Sequence, residues 1–181
     1  MRIVGGKYRG RTLSDFSGRD IRPTADKVRE SLFNIIQFSV QGCRFLDLFC
    51  GTGAMGIEAL SRGAGYVAFN DNAKDSIKLL KNNLGKLKIT DNYEISYTDA
   101  LRFLESCTLK FDFIYIDPPY RSGLGVQAVE KAAGILKEGG RIIFEDEKPF
   151  SGFLAGLTVT DERKYGRVYL TFFAKETDVK R

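Results

Sequence analysis

Phe45-Leu46-Asp47-Leu48-Phe49-Cys50-Gly51-Thr52-Gly53-Ala54-Met55-Gly56 reads as a buried strand, a glycine-rich turn and the start of a helix. The Gly51-x-Gly53-x-x-Gly56 spacing lets a nucleotide approach the backbone, and the helix that follows offers free N–H groups. Asp71 stands 20 residues after Gly51, at the end of the next apolar run, where a carboxylate accepts hydrogen bonds from ribose hydroxyls. Outward from this unit, strands and helices alternate. Strands are predicted at Arg44–Phe49, Tyr66–Asn70, Tyr93–Tyr97, Phe111–Ile116 and Arg141–Glu145. Helices are predicted at Ala54–Arg62, Ala73–Lys88, Ala100–Cys107 and Gly125–Lys137, the last ended by Gly139-Gly140. Such alternation demands a parallel sheet with helices on both faces, an α/β Rossmann-like fold. Leu157–Arg163 and Arg167–Ala174, joined by Lys164-Tyr165-Gly166, add an antiparallel hairpin at the edge and bring the sheet to seven mostly parallel strands.

Upstream, Thr24 N-caps a helix from Ala25 to about Phe38, with Val28, Leu32, Ile35 and Ile36 on its apolar face. Residues 1–22 form a short Gly- and Arg-rich extension with strands around Arg2-Ile3-Val4 and Arg11-Thr12-Leu13, leaving 23–181 as the core of a single domain. A length of 181 residues, 43% hydrophobic and 28% charged, suits one soluble unit with a sizeable core. No run is long enough for a membrane span, and the N-terminus has no signal-peptide core. Cys43, Cys50 and Cys107 are odd in number and not spaced like metal ligands, so a reduced cytoplasmic setting and no metal are expected. The chain has no histidine, so proton handling falls to carboxylates, tyrosine or water. Net charge is +5, and residues 1–11 carry Arg2, Lys7, Arg9 and Arg11 with no acid. That pattern fits a polyanionic partner, and equally a solvated tail.

The glycine turn alone supports NAD as readily as another nucleotide. Asp47 tilts the choice, because a carboxylate at the strand end repels a pyrophosphate and favours a cation. S-adenosylmethionine carries an α-ammonium and a sulfonium. At an effective dielectric near 20, opposite charges about 4 Å apart gain roughly 4 kcal/mol before desolvation. Asp99-Ala100, after the third strand, offers an acceptor for an adenine amine, and Phe49, Cys50, Thr52 and Asn72 flank the same turns. Asp47 and Asp99 read alternatively as helix caps. Cys50 reads as a small packing residue, not a nucleophile.

Asp117-Pro118-Pro119-Tyr120 follows the apolar run Phe111–Ile116, so it ends a buried strand where ligands of open α/β sheets bind. Each proline lacks an N–H, which turns acceptors toward the site. Asp117, the proline carbonyls and the flat ring of Tyr120 suit a nucleobase bearing an exocyclic amine.

These residues resemble class I methyltransferases that act on exocyclic amines of bases. The flanking stretches Met1-Arg2-Ile3-Val4-Gly5-Gly6-Lys7-Tyr8-Arg9-Gly10-Arg11, Ile21-Arg22-Pro23-Thr24, Val28-Arg29-Glu30-Ser31-Leu32-Phe33-Asn34-Ile35 and Gly56-Ile57-Glu58-Ala59-Leu60-Ser61-Arg62-Gly63-Ala64 are similar to the bacterial small-subunit ribosomal RNA methyltransferase D family, nearly end to end. The resemblance implies S-adenosylmethionine-dependent methylation of the N2 amine of one guanine in 16S rRNA (position 966 in the usual rRNA numbering), within a partly assembled small subunit. It implies Asp117, Pro118, Pro119 and Tyr120 at the target base. RNA contact then falls to Lys7, Tyr8, Arg9, Arg11, Arg22, Arg29 and Arg121. The family usually has Glu where Asp71 stands, an aliphatic residue where Asn70 stands and Ala where Cys50 stands. Rival readings are an adenine-N6 DNA methyltransferase, for which 181 residues leave no room for a target-recognition domain, a dehydrogenase and a non-catalytic RNA-binding assembly factor.

Overall fold

The computed structural model describes residues 1–16, 23–119 and 123–179, with the side chains of residues 23–25 excluded. Tyr120, Arg121 and Arg22, and the capping side chain of Thr24, therefore lie outside the described residues. Elements run α1 (Pro23–Ile35), β1 (Arg44–Asp47), α2 (Ala54–Ser61), β2 (Tyr66–Asp71), α3 (Lys74–Lys86), β3 (Tyr93–Tyr97), α4 (Ala100–Ser106), β4 (Phe111–Ile116), α5 (Leu124–Ala132), β5 (Leu136–Asp146), β6 (Leu157–Tyr165), β7 (Val168–Lys175) and α6 (Glu176–Val179).

The strands form one sheet in the order β3-β2-β1-β4-β5-β7-β6. The first five are parallel, and β7 lies antiparallel between β5 and β6. Both faces of the central strands are buried, as their unbroken apolar runs require. One face packs Phe45, Phe69, Phe113 and Phe172 against α1 (Leu32, Phe33), α2 (Ile57) and α3 (Leu80, Leu84). The other packs Leu46, Ile114, Ile142 and Phe173 against α4 (Leu104) and α5 (Ala128, Val129). The alternation read from the sequence is this doubly wound sheet with its antiparallel edge hairpin.

Most boundaries, including the start of α1 at Pro23, fall within two residues of those expected, and two regions differ by more. The helix expected to reach Lys137 stops at Ala132, a single 3-10 turn follows over Ala133–Ile135, and β5 already begins at Leu136. Leu136 pairs with Phe111 and is buried, while the register slips before Phe113 meets Arg141. Gly139 absorbs that slip at φ 70, a left-handed conformation open to glycine, so the Gly139-Gly140 pair bends a strand and does not stop a helix. α1 ends at Ile35, three residues short of Phe38.

The N-terminal extension is a strap, not a free arm. The two expected strands reduce to one antiparallel bridge, Arg2 with Thr12. Ile3 and Leu13 are buried in the core. The strap is held in part by Glu58 of α2, whose side chain is fully buried and accepts hydrogen bonds from the Val4 (2.9 Å) and Gly5 (2.8 Å) amides. Arg62 donates to the same carboxylate at 2.7 Å, and the Arg29 guanidinium stands 3.5 Å away. Arg29 is itself 2% exposed and donates to Asp26 and to the Arg2 carbonyl. The expectation that Arg29 contacts RNA is thereby corrected. A buried guanidinium held by two carboxylates and a carbonyl pins the strap and has no surface to offer a phosphate.

Candidate functional site

The order of connection reverses between β1 and β4, parallel neighbours at the centre of the sheet. Strand order runs outward from β1 to β3 on one side and from β4 to β6 on the other. The crevice above this switch point is where open α/β sheets bind ligands. Asp47 ends β1 and pairs in register with Tyr115, so Asp117 lies one strand over and two residues higher. At ordinary strand spacing and rise, their Cα atoms are about 8 Å apart.

The three glycines of the turn do three different things. A methyl group on Gly51 (φ +50) would meet nothing within 4 Å, so this backbone faces open space where a ligand can lie against it. One on Gly53 would strike Leu80 of α3 at 2.2 Å, and one on Gly56 would strike the Phe69 ring of β2 at 2.2 Å. Only Gly51 is open to a ligand; Gly53 and Gly56 let α2 seat closely on its neighbours. Asp71 ties this turn to the next. Its Oδ2 accepts from the Gly51 amide and its Oδ1 from the Ala73 amide, both at 2.8 Å. A carboxylate has about four lone-pair positions, so both oxygens retain capacity for ribose hydroxyls. Asn72 and Phe49 are exposed and half-buried beside it, whereas Thr52 is buried.

Asp47 is 1% exposed and accepts one hydrogen bond, from the Gly56 amide at 2.9 Å. Burial pushes its carboxyl up from 3.8 to about 7, the Gly56 amide opposes that rise, and Asp71 adds to it. Asp99 caps α4 through Oδ1, accepting from the Leu101 (3.0 Å) and Arg102 (3.2 Å) amides. The helix-cap reading thus holds for Asp99, and Ala100 is buried behind it. Cys50 is buried, its amide donates to the Asn70 carbonyl, and burial pushes its thiol far up, as befits a packing residue. Asn70 donates to the Leu48 carbonyl, while its own Oδ1 is buried without a hydrogen-bond partner among the described residues.

Asp117 is half-buried at the end of β4, with Pro118 half-buried and Pro119 exposed. Burial raises its carboxyl well above the usual range, and Glu145, Asp47 and Asp146 raise it further. Glu145 joins this group. It stands one residue before the end of β5, level with Asp117, and burial raises its carboxyl too, against the hydrogen bond donated by the Tyr115 hydroxyl. Tyr115 is buried between them, its hydroxyl held protonated by burial and by the carboxylates around it. A strand reading signals Glu145 only as the last residue of an apolar run; nothing local says which strand lies next to β4.

Asp47, Asp117 and Glu145 therefore share one face of the sheet, and none of the three has an ion-pair partner among the described residues. Carboxylates held out of water to this extent without an ion-pair partner disfavour an anionic ligand and favour a cation. The expected RNA contacts lie elsewhere. Lys7 and Tyr8 are held by their amides at Ser61, the far end of α2, with Arg9 and Arg11 exposed beside them.

The fold and this acidic, glycine-lined crevice define a class I methyltransferase. The chain belongs to the family described as "Conserved hypothetical protein 95", whose model matches residues 1–174. Among its relatives, YlbH of Bacillus subtilis is 34% identical over 182 residues, covering 97% of this chain and 99% of that one. Ribosomal RNA small subunit methyltransferase D of Escherichia coli K12 is 37% identical over 141 residues, covering 77% of this chain and 68% of its own. The solved structure of yhhF from Escherichia coli superposes with a TM-score of 0.83 at 29% identity, over 97% of this chain and 98% of that one. SMU.776, solved in complex with SAH, shares the fold at a TM-score of 0.69 and 20% identity, over 84% of this chain and 50% of its own.

Proposed function

We propose that this chain transfers a methyl group from S-adenosylmethionine to the exocyclic N2 amine of a guanine in 16S ribosomal RNA, in a partly assembled small subunit. The observation that carries the reading is the placement of Asp117 one strand from Asp47, at the switch point whose glycine turn leaves the Gly51 backbone open. The cofactor fits the residues present: Asp47 faces its cationic end, Asp71 its ribose hydroxyls, and Gly51 gives the space for its approach. When bound it supplies an electrophilic methyl group.

The remaining work belongs to the chain. Guanine N2 is a poor nucleophile, because its lone pair is delocalised into the ring. Asp117 and the Pro118 carbonyl accept its N–H bonds, which returns electron density to nitrogen and aims the lone pair. Hydrogen bonds to a charged group contribute about 1.5–3 kcal/mol each, whereas alignment of two reactants contributes about 7 kcal/mol or more. Positioning therefore outranks proton abstraction. The raised basicity of Asp117 suits it to take the proton released as the N–C bond forms. Tyr120, next after the prolines, supplies the ring on which the base stacks, worth about 1–3 kcal/mol. The guanine must be unpaired or flipped out to reach this crevice.

The test is transfer of tritium from labelled S-adenosylmethionine to small-subunit RNA, partly assembled subunits and DNA in parallel, followed by nucleoside analysis. N2-methylguanosine from RNA or subunits is the expected product. Label confined to N6-methyladenine in DNA, or no label with any acceptor, refutes the proposal.

A further inference from the structure

Basic residues apart from the strap also stand at the catalytic edge. β7 runs antiparallel to β5, and β6 antiparallel to β7, so the turn between them returns to the edge that carries Asp117. Glu145 faces Leu170, which faces Arg163, and one row higher Asp146 faces Tyr169, which faces Lys164. Ile116 pairs with Phe144, which sets Asp117 level with Glu145. Arg163 thus lies in the row of Asp117, three strands away, or about 14 Å, on the same face. Lys164, Gly166 and Arg167 stand higher still. By contrast, Lys7 and Tyr8 are anchored at Ser61, a whole eight-residue helix, about 12 Å, below the glycine turn.

The charges of this hairpin are also sorted. Asp161 is taken up by Arg163, whose Nε donates to both of its oxygens at 2.8 and 3.1 Å. Glu162 accepts from the Phe150 amide and the Thr171 hydroxyl, both at 3.0 Å. Both acids of β6 are thus engaged. Lys164 is exposed, with its ammonium 5.2 Å from the centre of the Tyr169 ring. Arg167 is exposed and has no hydrogen-bond or ion-pair partner among the described residues. The end of β5, with Asp146 and Glu147, repels phosphate, whereas the hairpin tip presents exposed basic residues at the same edge of the sheet.

We infer that the β6–β7 turn, through Lys164 and Arg167 with Arg163 behind them, holds the phosphodiester backbone of the RNA strand flanking the target nucleotide. This rests on the RNA reading above and adds the surface that presents the strand. Phosphate contacts of this kind set register and affinity, not base choice.

The test compares the unaltered chain with the paired substitution Lys164→Ala and Arg167→Ala, and with Lys164→Glu and Arg167→Glu. Small-subunit ribosomal RNA is the probe, its binding read by fluorescence anisotropy across a salt series, apart from turnover. The alanine pair is expected to weaken RNA binding roughly tenfold and to flatten the log–log salt slope by about 1.4, or 0.7 for each lost contact to a single strand. KM for RNA rises in step, while kcat, cofactor affinity and melting temperature hold. The glutamate pair weakens binding further. An unchanged slope and affinity in both variants overturns the inference. Because binding is read without catalysis, failure of methyl transfer by the unaltered chain would refute the proposed reaction and still leave the slopes to decide the hairpin.

Discussion

Replacing Asp47 by Asn changes one charge and little else, since the amide oxygen can still accept from the Gly56 N–H. Asp47 is 1% exposed, and its carboxyl is raised from 3.8 in an ordinary setting to about 7 in the fold. A carboxyl whose folded value is raised favours the fold while it is neutral. Its contribution is whole below about pH 4 and is lost as the pH climbs through about 7. Full ionisation then costs about 4 kcal/mol, of which about 3 kcal/mol falls between pH 5 and pH 8. The Asn variant escapes that cost. Its stability relative to the unaltered chain should therefore grow by about 3 kcal/mol from pH 5 to pH 8, a shift of roughly 6–12 °C in melting temperature for a domain of this size. Affinity for S-adenosylmethionine should move the opposite way. Losing an opposite charge about 4 Å from a cation forfeits up to roughly 4 kcal/mol, a Kd increase of two to three orders of magnitude. Urea unfolding at the two pH values and calorimetric titration with S-adenosylmethionine measure both halves. A stability difference that does not vary with pH, or cofactor affinity that survives, would refute the argument that this carboxylate is kept buried for a cation.

Asp117→Ala is expected to abolish methyl transfer while leaving cofactor affinity within a few-fold; loss of cofactor binding with turnover per bound complex intact contradicts the roles given. Gly56→Ala drives a methyl into the Phe69 ring and should destabilise the fold by about 1–3 kcal/mol in urea unfolding. Gly51→Ala, which meets open space, should cost about 1 kcal/mol in backbone strain and chiefly weaken cofactor binding in titration. Glu58→Gln leaves Arg29 and Arg62 underpaired beside a fully buried side chain, and should cost about 3–5 kcal/mol. Limited proteolysis of that variant should cut first within residues 1–13, whereas an unchanged cleavage pattern would mean the strap is held by other contacts.

Much of this architecture could be read from residue order, for physical reasons. β1, β2 and β4 are buried on both faces, so they appear as unbroken apolar runs, and the glycine turn and Asp71 stand at fixed offsets from them. Asp117-Pro118-Pro119 declares the end of β4 because proline cannot extend a ladder. What stayed hidden depended on partners remote in the chain. Leu136 belongs to β5 only because Phe111 lies beside it, and without that neighbour the stretch through Gly139-Gly140 looks like a helix running to its stop. Arg29 sits among polar neighbours on an amphipathic helix, and nothing local reveals that Glu58 and the Arg2 carbonyl close over it. The rank of Glu145 beside Asp117, and of Arg163 beyond it, follows from strand order and register, which residue patterns do not specify.

The insertion of β7 between β5 and β6 has a consequence for the order of assembly. A nascent chain that has emerged only as far as Phe144 carries Ile142 and Ile143 on a strand with one side unpaired, in the middle of what will become the sheet. Such an open border invites pairing with another chain. It is sealed only when the last strand is delivered, more than twenty residues later. Truncation within β7 should therefore yield aggregates sooner than a smaller folded enzyme.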